Sequence, residues 1–249
     1  MAFRTFIYLD EAKLYEYLAA FSKQSVLSGS KRTIKGRVNA GVAELEGGIE
    51  LSPSSNERPS PAVAYDLFEK ELDVHGGDDY FDLLSGDCDI STLPPLSIFR
   101  CSGYVEIPES FDTLAVISEY LQPLKAAGVI PLDGDPATNE FVLSFFERTD
   151  ADVPILISGN DIVISSKLKP NLFVDASYQV LEDMEDEEVF ALCKVHSYLK
   201  KDKVVVFDPA KDFLKLNRAF RRSMTTTEGL DPIMEPGPIL KAEIIAIYH

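Results

Sequence analysis

The chain of 249 residues has no tryptophan, and it has only three cysteines and three histidines. Cys88, Cys101 and Cys193 are odd in number and far apart, so we expect no disulfide framework and a reducing cytoplasm fits best. No apolar run approaches the roughly 20 residues that a membrane-spanning helix needs. The N-terminus lacks a basic region followed by an apolar stretch, so no secretory signal is expected. These absences predict a cytoplasmic protein that does not enter a membrane.

The motifs of several enzyme classes are also absent. There is no Gly-x-Ser-x-Gly elbow, and His75, His196 and His249 have no recognisable nucleophile beside them. Cys193 lies three residues before His196 in a predicted strand, so the two side chains should point to opposite faces. No Cys/His group has zinc spacing, and neither a P-loop nor a dinucleotide fingerprint occurs. The sequence therefore predicts no cofactor, and our interpretation leans against an enzyme.

Basic residues are few, because 24 Lys and Arg face 41 Asp and Glu and the formal net charge is −17. The excess lies in the middle of the chain: residues 61–190 carry a net charge of −21, whereas 1–60 carry +1 and 191–249 carry +3. This strongly acidic middle region disfavours contact with the phosphate backbone of a nucleic acid. Its simplest interpretation is a soluble, self-repelling surface, and the oligomeric state stays open.

Both ends of the chain are short apolar segments rich in β-branched and aromatic residues. The chain opens with Phe6–Asp10 (FIYLD) and closes with Ile244–Tyr248 (IIAIY). Buried terminal strands need hydrogen-bonding partners, so we expect both in one sheet. Strands and helices alternate without a βαβ rhythm. The sequence thus predicts a single α+β domain over 1–249, with a mainly antiparallel or mixed sheet, both termini paired in the core and a flexible loop at 52–61.

The periodicity of apolar residues places the remaining elements. Helices are predicted over 11–23, 63–72, 111–127 and 208–222. Strands are predicted over 98–107, 141–146, 153–157, 161–165, 189–199, 204–207 and 240–248, and a loop over 223–238. The apolar face predicted for the third helix consists of Leu114, Ile117, Leu121 and Leu124. Pro123 lies inside this helix and should kink it or end it early.

The terminal segments resemble those of a bacterial domain family of unknown function. That family opens with a Phe-Ile-Tyr-Leu-Asp strand and closes with an Ala-Ile-Tyr strand, and the glycine-rich stretch 36–48 and the segments 104–107 and 153–156 are similar to it as well. The resemblance covers the whole chain. It implies a bacterial cytoplasmic protein, encoded near defence or mobile-element genes, and it brings no catalytic residues.

Asp10 is a candidate metal ligand because it closes the first apolar strand. Nucleases that resemble the PilT N-terminal type bind a divalent metal with such an aspartate, and the metal needs further oxygen ligands. The candidates are Glu44, Asp82, Asp87, Asp89 and Asp161, none at a defensible spacing. The favoured interpretation is that Asp10 caps the first helix. The alternative function is a metal-dependent nuclease or phosphodiesterase that uses Asp10 and the acidic middle.

Two further acidic segments have a functional and a structural interpretation. The loop 78–89 holds five aspartates that could bind calcium or magnesium: Asp78, Asp79, Asp82, Asp87 and Asp89. It lacks the glycine and glutamate spacing of an EF-hand, so a solvated loop is favoured. The run 182–188 could dock a basic partner, but a solvated surface is the simpler interpretation.

Residues 211–222 predict an amphipathic helix with a basic stripe. Its apolar side holds Phe213, Leu216 and Phe220. Its basic residues follow at spacings of four, three and four: Lys211, Lys215, Arg218 and Arg222. An ordinary surface helix that faces the acidic run is the competing interpretation. We take the stripe as the candidate surface for a protein partner, and the whole chain as a non-catalytic regulatory or protein-interaction module.

Overall fold

The structure is a computed structural model that describes residues 4–27, 59–75, 77–85, 89–128, 139, 151–159, 162–175, 177–184, 186–216, 218–223 and 230–249. Its contacts divide the chain into two compact units, Met1–Leu9 with Phe81–His249 and, separately, Asp10–Tyr80. That the chain folds as one domain stays a prediction. Of the predicted flexible loop, 52–58 lie outside the described residues, and Pro61 already begins a helix.

The smaller unit contains two of the predicted helices, α1 (Glu11–Leu27) and α2 (Pro61–His75). Tyr65, Phe68 and Leu72 recur at helical spacing along α2, and all three are buried. The ring of Tyr17 in α1 stacks on Phe68 with centroids 6.2 Å apart. Apolar periodicity therefore predicted both helices, and each helix extends beyond the range that its apolar pattern predicted.

The larger unit is built on a seven-stranded sheet. Its strands are β1 (Phe6–Leu9), β2 (Tyr80–Asp82), β3 (Ile98–Glu106), β4 (Val153–Gly159), β5 (Ile162–Leu168), β6 (Glu188–Leu199) and β9 (Ile239–Tyr248). The order is β1-β9-β5-β4-β3-β2, and β6 pairs with both β3 and β9. Five strands thereby form a closed ring of pairings, β3-β4-β5-β9-β6. Since β5 and β9 are parallel and the other ring pairs antiparallel, the predicted mixed sheet is confirmed.

The two ends of the chain meet in this sheet, as predicted. β1 runs antiparallel to β9, and Leu9 lies opposite Ala246. Beyond the strands, Thr5 and His249 donate their backbone N–H groups to each other's carbonyl oxygens, with both N–O distances 3.0 Å. The α+β class with both termini paired in the core is therefore confirmed.

The predicted hairpin at 153–165 is present as β4 and β5, whose paired residues run from Val153 opposite Leu168 to Gly159 opposite Ile162. In β6 the side chain of Cys193 is buried and that of His196 is exposed, as expected for opposite faces of a strand. Alternate ring residues such as Phe99, Ile155 and Ile164 are buried together in the main core. The predicted strand at 141–146 and the glycine-rich stretch 36–48 lie outside the described residues.

Helical segments connect the strands of the larger unit. They are α3 (Glu109–Ala126), α4 (Gln179–Asp183), a π-helical turn (Pro209–Phe213) and α5 (Arg218–Ser223). α3 runs three residues past Pro123, so the proline does not end it early. The carbonyl of Pro123 accepts a hydrogen bond from the N–H of Ala127 at 3.0 Å, which completes the last turn.

The prediction of one helix over 208–222 is wrong. Asp208 caps a π-helical turn in which the N–H of Leu214 reaches the carbonyl of Pro209. Lys215 then adopts a left-handed conformation with φ of 49°, which ends a right-handed helix. Phe213 and Leu216 are still buried, so the apolar pattern predicted the burial and not the helix.

The predicted loop 223–238 contains a strand. β8 (Ile233–Pro236) pairs antiparallel with β7 (Lys203–Phe207) in a separate two-stranded sheet. The last of the four residues of β8 is a proline, which has no backbone N–H to donate to a neighbouring strand. The sequence pattern therefore indicated a loop and not a strand.

Removing residues 243–249 is expected to unfold the larger unit. The deletion takes away three buried isoleucines of β9, and truncating one buried isoleucine to alanine already costs about 2–5 kcal/mol. Domains are stable by only about 5–15 kcal/mol. Circular dichroism melting checks this, with His249→Ala as the control, since that variant keeps the backbone hydrogen bonds to Thr5. A truncated protein that keeps its melting temperature would contradict the central place of β9.

Candidate functional site

Asp10, the sharpest candidate metal ligand in the sequence, caps α1. Its Oδ1 atom accepts a hydrogen bond from the backbone N–H of Lys13 at 3.1 Å. Its Oδ2 atom lies 3.4 Å from the ammonium nitrogen of the same lysine, and the residue is 3% exposed. Both carboxyl oxygens thus already have a partner, and the geometry is that of a helix N-cap.

Two aspartates of the acidic loop, Asp82 and Asp89, bind local protein groups. Asp82 accepts a hydrogen bond from the N–H of Leu84 and pairs with the guanidinium of Arg100. Asp89 accepts the N–H of Ser91 at 2.8 Å, and this bond holds the pKa of its carboxyl below the usual value. Within the described part of the chain, no three His, Cys, Asp or Glu side chains are grouped as a metal site. Glu44, Asp87 and Asp161 lie outside the described residues.

Replacing Asp10 by alanine should destabilise the protein by about 1 kcal/mol, because α1 loses its cap. Asp10→Asn is the matched control, since an asparagine oxygen can also accept the N–H of Lys13. Chemical denaturation measures both, and calorimetry with Mn²⁺ measures metal binding. Micromolar Mn²⁺ affinity that Asp10→Ala abolishes would reverse the assignment and favour the nuclease.

The four residues of the predicted basic stripe, Lys211, Lys215, Arg218 and Arg222, are all exposed. They do not share one helix, because Lys215 lies between the π-helical turn and α5. The neighbouring Arg221 is the basic residue of α5 that pairs with Asp208, at 3.7 Å. The helical spacing that suggested a stripe is therefore lost, and partner binding by these residues stays a prediction.

α3 presents apolar side chains that the sequence assigned to the core. Of the four residues on the predicted face, Leu114 is buried and Leu121 half-buried, but Ile117 is 41% and Leu124 43% exposed. Tyr120, on the same outer side, is 75% exposed. We call these three exposed residues, Ile117, Tyr120 and Leu124, the outer face of α3. The sequence missed this surface because apolar residues occupy more than one face of the helix.

A cleft of about 820 Å³ lies against the adjacent side of α3. The helix contributes Ala115, Val116, Glu119, Pro123 and Ala126, among others, to its wall. The remaining described lining comes from the segments that begin β4, follow β5 and end the π-helical turn, namely Ala151, Val153, Pro170, Ser177, Tyr178, Gln179 and Phe213. The cleft is thus assembled from four separate parts of the larger unit.

Phe111 fixes the base of this cleft. Its ring makes edge-to-face contacts with Tyr178, Phe207 and Phe213, with centroids 5.6, 5.9 and 5.6 Å away. Such pairs contribute about 0.5–1.5 kcal/mol each beyond the area they bury. They attach the first turn of α3 to β7, to the π-helical turn and to the segment before α4.

Beside Tyr178, the carboxyl groups of Asp112 and Glu182 lie within hydrogen-bonding reach of each other. Burial, together with the hydrogen bond and the charge of Glu182, raises the pKa of Asp112 to about 7. Burial and the charges of Asp112, Glu182 and Glu119 raise the pKa of Tyr178 to about 12. The Oδ1 atom of Asp112 is buried and has no hydrogen-bond partner among the described residues. Asp112 therefore stays partly protonated near neutral pH.

Two buried cysteines lie diagonally across the paired strands β3 and β6, because Cys101 is opposite Ala191 and Cys193 is opposite Phe99. Cys101 and Cys193 are free thiols, and burial, with the neighbouring Cys101 thiol, raises the pKa of Cys193 well above its usual value. A thiol is reactive as a thiolate, so this environment makes Cys193 inert.

Asp112 should make stability fall as the pH rises. The pKa of Asp112 is higher in the folded protein than the value of about 4 of an unfolded aspartate. The stability that this group contributes is therefore fully present below about pH 4 and is lost as the pH rises to about 7. Solvent screens this partly exposed group, so the effect is small. Between pH 4 and pH 8 we expect the melting temperature of Asp112→Asn to rise by only about 2–4 °C relative to that of wild type. Calorimetric melting of both proteins across this range measures the gap. A gap that does not change with pH would show that Asp112 titrates normally.

The larger unit thus defines the chain as an α+β protein with a ring of five paired strands and an open cleft beside one helix. A family model described as a domain of unknown function, DUF6414, matches residues 3–248. The chain belongs to this family. Neither a curated protein nor a solved structure matches it. Among the described helices, none is long and apolar enough to cross a membrane.

Proposed function

We propose that the chain is a non-catalytic regulatory or protein-interaction module of the bacterial cytoplasm, with phage defence as its setting. The observation that supports this function is the outer face of α3. Ile117, Tyr120 and Leu124 are spaced three and four residues apart, so they lie together on the surface of one helix. Single exposed apolar residues need no explanation, but three on one helical face form a patch of the kind that partners cover.

Charge defines the kind of partner that suits this face. α3 carries Glu109, Asp112 and Glu119 against a single basic residue, Lys125. A second copy of the chain would bring another net charge of −17 to the same surface, and like charges oppose that contact. The proposed partner is therefore a basic protein that covers the three apolar side chains. Tyrosine is enriched among residues that dominate binding energy, so Tyr120 is the proposed anchor.

The exposed cations Lys211, Lys215, Arg218 and Arg222 are a second proposed partner surface. They suit an acidic partner, and binding there should be weak and sensitive to salt. The alternative function, a metal-dependent nuclease or phosphodiesterase, gains no support from Asp10, since the cap and the ion pair occupy its oxygens.

A quantitative pull-down distinguishes the two surfaces. Ile117→Ser, Tyr120→Ser and Leu124→Ser combined should keep the fold, since these side chains are exposed, and should abolish the capture of basic proteins. The matched control replaces three other exposed apolar residues: Val74→Ser, Val174→Ser and Met234→Ser. The third protein carries Lys215→Glu, Arg218→Glu and Arg222→Glu.

Loss of the same captured proteins in the α3 variant, and in neither other protein, is the expected outcome. Loss confined to the third protein would move the interface to the basic residues. Unchanged capture by all variants would contradict both surfaces.

A further inference from the structure

We propose that the cleft beside α3 is a binding site for a small amphipathic organic cation, a molecule with an apolar body and an ammonium group. The inference rests on the cleft itself and not on the outer face of α3, so it stands whether or not a protein partner binds there.

The size and composition of the cleft suit a small ligand. Ligand sites in proteins commonly enclose about 300–1,000 Å³ and are mostly apolar with a few placed polar groups. This cleft encloses about 820 Å³. Small side chains leave the space open, because Ala115, Ala126 and Ala151 line it beside Pro123 and Pro170. An apolar body of one aromatic ring and a short chain fits such a wall.

Aromatic rings form a rigid part of the lining. Phe111, Tyr178 and Phe213 all line the cleft, and Phe111 holds the other two by edge-to-face contacts. Phe111 and Phe213 are buried, at 2% and 1% exposure, so the partly exposed ring of Tyr178 is the one that a ligand can reach. The face of an aromatic ring attracts cations as well as apolar groups, with about 0.5–2 kcal/mol for a cation that has lost its water. Because these rings are already fixed against each other, a ligand would not have to order them.

The charges around the cleft select a cation. Glu119 is the one charged residue in the described lining, and its side chain is exposed. Behind Tyr178 lie Asp112 and Glu182, and these two acids and Glu119 all act on the tyrosine hydroxyl. An ammonium group near Glu119 and Tyr178 would face negative charge, and a carboxylate would be repelled. The hydroxyl of Ser177 and the amide of Gln179 add polar groups that can orient the ligand.

Three probes of one shape and different charge test this inference by isothermal calorimetry. They are 4-phenylbutylamine, the neutral 4-phenyl-1-butanol and the anionic 4-phenylbutanoate. The amine should bind at least about tenfold more tightly than the anion, with the alcohol between them. Ala126→Trp fills the cleft at an exposed position and should abolish binding of all three.

Matched charge variants locate the ammonium group. Glu119→Gln should weaken binding of the amine about threefold to tenfold and leave binding of the alcohol unchanged. Glu109→Gln removes the same charge from an exposed position of α3 outside the lining and should change neither. The variant of Ile117, Tyr120 and Leu124 should bind the amine as wild type does, which separates this test from that of the protein partner.

Three outcomes of the probe and charge-variant titrations would overturn the inference. They are no heat of binding with the amine up to about 10 mM, equal affinity for the amine and the anion, and equal effects of Glu119→Gln and Glu109→Gln. Unchanged binding by Ala126→Trp would place the probe outside the cleft and overturn it as well.

Discussion

The structure of the larger unit depends on the hydrogen bonding of β9 along both of its edges. β6 pairs with it over nearly its whole length on one edge, and β1 and β5 share the other edge. Removing β9 from this arrangement would open the ring of five strands and expose two edges at once. The ring also sets the positions of its connections: α3 leaves β3, the residues around Ala151 enter β4, and Pro170 follows β5. The cleft walls are these connections, so the terminal strand supports a site to which it contributes no side chain.

Phe111 links the cleft to the rest of the larger unit by aromatic packing. It lies two residues into α3 and contacts rings from β7, from the π-helical turn and from the segment before α4. Because it is 2% exposed, its contacts cannot be exchanged for water without cost. The outer face of the same helix is less well covered, since Ile117 is 41% and Leu124 43% exposed. One helix therefore combines a side fixed by aromatic packing with a side whose apolar residues are partly exposed.

Local patterns in the sequence predicted much of the fold. The apolar ends, the hairpin of β4 and β5 and the cap at Asp10 depend on residues close in sequence or on the strong need of a buried strand for partners. The candidate site depends on contacts between distant residues. Asp112 and Glu182 are 70 positions apart, and no spacing rule brings them together. The exposed face of α3 was not predicted because an apolar pattern shows which residues can be buried, whereas the packing of the neighbouring segments decides which are. The prediction of one helix over 208–222 was wrong because one left-handed residue, Lys215, ends a helix that propensity would continue.

The acidic pair beside Tyr178, formed by Asp112 and Glu182, lowers the stability of a protein whose net charge is already −17. Burial beside Glu182 keeps a proton on part of the Asp112 carboxyl groups up to about pH 7, and an apolar residue at position 112 would avoid that cost. Perturbed carboxyl groups occur in structural networks as well as in functional sites, so the shift alone assigns no role. Its location is more informative, because it adjoins the cleft beside α3 and not a closed part of the core. There the pair adds negative charge to a surface that the ring and Phe111 hold in place, and the same feature that weakens the fold makes the cleft attractive to a cation.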